Sequence, residues 1–151
     1  MRQFATNLLF FSLFITQMGC GLITGEEVAR LSINQVGPNP VEVSIELKKD
    51  EEIYVWSNMD MEFEGILKME FQMEILKNGA PLGNITIDPT DRTKLTLNKL
   101  RTSNGNKTSL SFSRKNAQIN IPEDGTYTFK AYLESRTTNL KIDKAELVLR
   151  R

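Results

Sequence analysis

Between Met61 and Ile75 the apolar side chains fall on odd positions and the polar ones between them. Met61, Phe63, Leu67, Met69, Phe71, Met73 and Ile75 alternate with Glu62, Glu64, Lys68, Glu70, Gln72 and Glu74. A strand projects successive side chains to opposite faces, so this period of two gathers every apolar group on one face. Met, Glu, Leu and Lys are good helix formers, but helical spacing would scatter the same residues around a cylinder. The period decides for strand. Gly65-Ile66 breaks the pattern, which predicts a bend where one long segment passes between two sheets.

The same signature recurs along the chain. Val41, Val43, Ile45 and Leu47 alternate with Glu42, Ser44 and Glu46, and the polar stretch LKKDEE then turns the chain. Ile53 to Trp56 (IYVW) reads as a central strand buried on both faces. Asn78-Gly79 predicts a tight hairpin, because both residue types accept positive φ, with a following strand at Asn84–Asp88. Residues 89–109 read as polar and irregular, with some helical character around Thr93–Leu100. Leu110/Phe112, Ala117/Ile119/Ile121, Tyr127/Phe129/Ala131/Leu133 and Leu140 to Leu149 complete the alternating segments. About seven or eight strands with little helix predict an all-β, antiparallel sandwich over residues 36–151. The stretch IPEDGTYTFKAYL (121–133) resembles the turn and strand of bacterial immunoglobulin-like and jelly-roll domains, although no cysteine pair is present. The resemblance implies that Tyr127 packs inward and hydrogen-bonds nearby backbone, in the manner of a tyrosine corner.

The first 20 residues, MRQFATNLLFFSLFITQMGC, follow a different logic. Arg2 precedes a short apolar run from Leu8 to Ile15, and small or polar residues follow it. That order is the pattern of a secretory signal, and the run is far shorter than the ~20 residues that span a bilayer. Gln17-Met18-Gly19-Cys20 resembles the lipobox of bacterial lipoproteins. Gly19 and Cys20 match it, whereas Gln17 and Met18 stand where the family usually has Leu and Ala or Ser. The resemblance implies a signal peptide over 1–19, cleavage before Cys20, and lipidation of the Cys20 thiol, the only one in the chain. Residues 20–35 would then be the lipidated N-terminus and a tether. Gly21 stands where an inner-membrane retention signal has Asp, so the analogy implies the outer membrane of the cell envelope, with the leaflet open.

Composition narrows the chemistry of the tethered domain. The chain has no histidine and a single cysteine, which removes imidazole catalysis, His or thiolate metal sites and internal disulfides. Lys+Arg and Asp+Glu both number 19, a balance that gives no global attraction to nucleic acid. No nucleophile elbow, phosphate-binding loop or dinucleotide fingerprint occurs, so neither an enzyme nor a cofactor is expected. Tyr54 and Trp56 are the candidate ligand contacts, as an aromatic platform for a sugar, against the simpler expectation that Trp56 is a core anchor between sheets. Asp60, Glu62 and Glu64, or Asp88 and Asp91, offer hard oxygen donors for calcium, but acids alternating along a strand form a solvated face, and no metal site is expected. The expectation is a non-catalytic envelope module that binds a protein or serves in a surface assembly. The alternative is a carbohydrate-binding accessory lipoprotein.

Overall fold

The computed structural model describes residues 24–151. The signal segment 1–19, the lipobox and Cys20 lie outside the described residues. The strands run in chain order as β1 (Glu27–Ser32), β2 (Gly37–Leu47), β3 (Glu52–Glu64), β4 (Met69–Lys77) and β5 (Ala80–Ile87). β6 (Thr96–Asn104), β7 (Lys107–Asn120), β8 (Gly125–Ser135) and β9 (Lys141–Arg150) follow. They form a five-stranded sheet of order β1-β9-β3-β7-β6 and a four-stranded sheet of order β2-β8-β4-β5. All strand pairs are antiparallel. The all-β sandwich is therefore the fold.

The odd-numbered row found in the sequence is the floor and roof of its core. Met61 and Phe63 of β3 and Met69, Phe71, Met73 and Ile75 of β4 are all buried. They belong to two different sheets, and the chain crosses between them at Gly65–Lys68, where Gly65 has φ +74°. The crossing is pinned from the loop after β8. The Lys68 carbonyl accepts bonds from the Arg136 amide (3.0 Å), Ser135 Oγ (3.0 Å) and Thr137 Oγ1 (3.1 Å). Opposite these residues lie Leu110 and Phe112 of β7, Phe129, Ala131 and Leu133 of β8, and Ala145, Leu147 and Leu149 of β9. Full burial of side chains of this size stabilises by about 1.5–3 kcal/mol each.

Two turns follow the chemistry of their residues. Asn78 and Gly79 have φ +48° and +81°, the paired positive values of a type I′ hairpin. Tyr127 is fully buried and its hydroxyl donates to the Glu123 carbonyl at 2.8 Å, the corner that the 121–133 segment implied.

Three local readings change. There are nine strands, because β1 and β6 are strands as well. β1 lies within residues 20–35, so the sandwich begins well before residue 36, and Leu31 and Ile33 are buried in its core. β6 occupies residues expected to be irregular or helical. Both are edge strands; β1 contributes the buried Leu31 to the core, whereas β6 has no buried residue and pairs with β7 alone.

Candidate binding surface

Trp56 is 2% exposed, but it does not sit between the sheets. On β3 the odd positions Val55 and Met59 face the core, and Trp56 projects from the other side. Its register partners are Val148 on β9 and Lys115 on β7, and Arg30 of β1 continues the row beyond Val148. Long Arg and Lys stems cover apolar surface while their charges stay in water, which accounts for a buried indole on an outer face. Trp56 Nε1 has no hydrogen-bond partner among the described residues. The expectation of an inter-sheet anchor is thus corrected: the IYVW run is apolar without alternation, so it hides which face each residue takes.

Tyr54 lies on the same outer face, half exposed. Its hydroxyl donates to Glu52 at 2.6 Å, which raises the phenol pKa. The Lys115 ammonium sits 3.5 Å from the ring centroid, a cation–π contact. A sugar needs an open ring face, and this pair offers none: Trp56 is buried and Tyr54 carries Lys115.

The acidic candidates are engaged locally. Asp60 and Glu62 stand in register with Lys144 and Lys141, and Glu64 accepts from Asn139 Nδ2 at 2.8 Å. Asp88 Oδ1 accepts the Thr90 amide and hydroxyl at 2.7 and 2.6 Å. Asp91 Oδ1 accepts the same pair from Thr93 at 2.9 and 2.7 Å. These bonds hold the Asp91 carboxyl below its ordinary pKa. They shape the loop rather than leaving oxygens to converge on one point. No cluster of three or more His, Cys, Asp or Glu side chains placed to hold a metal occurs among the described residues.

A concavity among the described residues lies elsewhere. In β2, Gly37 pairs with Leu133 and Val41 with Ala131, so Pro38-Asn39-Pro40 oppose the single residue Tyr132. Proline cannot donate to a ladder and is accommodated at such a bulge on an edge strand. Beside this bulge lies a groove of about 570 Å³ lined by Val36, Pro38 and Leu67 together with Lys68, Glu70, Glu134 and Arg136; Met69 and Leu133 border it but are themselves buried. A second hollow of about 380 Å³ shares Pro38 and continues over Tyr132, Gln72, Glu74 and Lys130. Pro38 and Pro40 are the only trace of this groove in the sequence, because its other walls come from strands distant along the chain.

The groove has a definite position relative to the N-terminus. Glu26 and Arg151 exchange two backbone bonds, at 2.9 and 3.1 Å, so the start of β1 and the end of β9 mark one end of the sandwich. The groove gathers the starts of β2 and β4 and the end of β8, which all lie at the opposite end. β3 traverses that length in 13 residues, or about 40 Å.

No family model matches the sequence, and no curated protein matches it at a significant level.

Proposed function

We propose that the chain is a lipid-anchored cell-envelope protein whose sandwich is a non-catalytic module that binds another protein. The anchor rests on the signal-like segment that ends in Cys20, the only cysteine of the chain. Acyl chains on that residue would each add about 0.8 kcal/mol of membrane affinity per buried methylene. The supporting observation is the polarity of the domain. Glu27 opens β1 seven residues after Cys20 (27 − 20 = 7), a reach of about 24 Å at full extension. The end bearing Glu26 and Arg151 would then face the membrane, and the groove beside Pro38 and Leu67 would face away from it. A lining that mixes the exposed Val36 with Lys68, Glu70, Glu134 and Arg136 suits a polypeptide.

Site-specific photo-crosslinking in native membranes tests this reading. A crosslinker at Arg136, beside the groove, is expected to trap one discrete partner, and one at Glu51, at the membrane-facing end, is expected not to. Equal trapping from both positions, or none from Arg136, would overturn it. The carbohydrate alternative is favoured by one observation, the half-exposed Tyr132 flanked by Pro38, Pro40 and the Gln72 amide. Glycan binding lost in Tyr132→Ala, with the fold intact, would establish it in place of the protein partner.

A further inference from the structure

The balanced total charge conceals a segregation. Residues 92–115 carry seven basic side chains (Arg92, Lys94, Lys99, Arg101, Lys107, Arg114 and Lys115) and no acidic one. Arg114 is buried, and Lys115 is committed to Tyr54. The other five lie along one lateral margin, on β6, on the loop before it and at the tip of the β6–β7 hairpin. None of them makes an ion pair among the described residues. Residues 1–23 contain no Asp or Glu that could neutralise them.

Two further features coincide there. Leu95 and Leu100 are 52% and 68% exposed, an unusual placement for leucines in a margin otherwise built of polar groups. β6 is also an edge strand with β7 as its single neighbour, so among the described residues its outer row of backbone N–H and C=O groups has no strand to pair with. A bulge separates Leu97 from Leu100, with Asn98 at φ +52°. Beyond it, Leu100–Asn104 keep regular register with β7 and present a straight edge. The other edges lack this combination. β2 is interrupted by Pro38 and Pro40 and carries Glu42 and Glu46, β1 has six residues, and β5 has no charged residue.

We infer that the free edge of β6 docks an extended acidic segment of a partner protein by strand addition. Backbone pairing along Leu100–Asn104 supplies the ladder. Lys99 and Arg101, with Lys94 and Lys107 at the two ends, select acidic side chains and steer their approach, and Leu95 and Leu100 take apolar ones. The same cations repel a second β6 edge, so the strip discriminates against self-pairing. An anionic bilayer would satisfy the cations and leucines but would leave the edge amides without a ladder. The inference does not depend on the anchor or on the groove.

The test uses the full chain in detergent micelles and a peptide of about ten residues alternating Glu and Val, with a Lys-Val peptide as its charge-reversed counterpart. Binding is read by titration and by amide hydrogen exchange. The Glu-Val peptide is expected to bind saturably and to slow exchange along Leu100–Asn104, while the Lys-Val peptide does neither. Lys99→Glu combined with Arg101→Glu, both on the surface, should weaken Glu-Val binding about tenfold or more, equivalent to about 1.4 kcal/mol, and favour the Lys-Val peptide. Three outcomes would overturn the inference. They are no binding or binding indifferent to the charge reversal, binding that leaves β6 exchange unchanged, and protection of β6 without peptide, whether by anionic phospholipid nanodiscs or by raising the protein concentration.

Discussion

Arg114 is the one charged side chain buried among the described residues, at 3% exposure, and its replacement sets two opposed effects against each other. Its Nε donates to Thr96 Oγ1 at 2.7 Å and its Nη1 to the Pro89 carbonyl at 2.5 Å. The guanidinium also lies 4.7 Å from the Phe112 ring centroid. Burial pulls its pKa down, while the carboxylates of Asp91 and Asp88 pull it up, and arginine stays charged in either case. Withdrawing the cation from water costs several kcal/mol. Two hydrogen bonds from a charged donor return about 3–6 kcal/mol together. These nearly cancel, so the net effect of Arg114→Met is set by what is left behind. Thr96 is half exposed and can turn to water, whereas the Pro89 carbonyl is buried and loses its donor, a penalty of about 1–3 kcal/mol. Arg114→Met is therefore expected to destabilise by about 2 kcal/mol, and Arg114→Lys by no less, because a single ammonium cannot span both acceptors. Urea unfolding followed by the fluorescence of Trp56, the only tryptophan, measures both. Hydrogen exchange in residues 88–95 should rise with the loss of the pin. A neutral or stabilising Arg114→Met, or a Lys variant equal to the native protein, would refute this reasoning.

Three further expectations follow from the same geometry. Tyr127→Phe removes the 2.8 Å bond to Glu123 without changing packing and should cost about 1 kcal/mol in urea unfolding; a neutral result would mean that the corner does not stabilise the fold. Trp56→Ala should destabilise by about 3–5 kcal/mol, and acrylamide should quench native Trp56 poorly, because the indole is buried. Free access of quencher would contradict that burial. Acid should weaken the fold in a defined direction. The Arg30 guanidinium beside Glu27 holds its carboxyl below the ordinary value of 4.5, and Lys77 does the same for Glu123. Groups with lowered pKa stabilise above their unfolded value, and that contribution is lost as pH falls through the folded one. Stability should thus decline below about pH 4.5, less steeply in Glu27→Gln, and equal slopes for the two proteins would exclude this pair as a cause.

The sequence and the structure agree where burial writes the pattern. The odd-numbered row from Met61 to Ile75 is visible because one face is packed and the other solvated, and its interruption at Gly65 marks the passage between sheets. Asn78-Gly79 and Tyr127 were legible because their conformations demand particular residue types. β6 was not. An exposed edge strand has no apolar face to repeat, so TLNKLRTSN looks like loop. β1 is short and opens within the Glu26-Glu27 pair, which made it resemble a tether. Trp56 shows a different failure: its even position, continuous with Asn58 and Asp60, places it on the outer face, and the apolar weight of its neighbours obscures that parity. The groove depends on a three-residue bulge facing Tyr132, a register fact that no single segment encodes.

The proposed attachment through Cys20 is tested most directly by the intact mass of protein extracted from native membranes. Lipidation predicts a chain that begins at Cys20, heavier than its polypeptide by the mass of a diacylglyceryl group with or without a further acyl chain. Cys20→Ser should lack that mass and leave the membrane fraction. An unmodified Cys20, or unchanged membrane association of the serine variant, would contradict it.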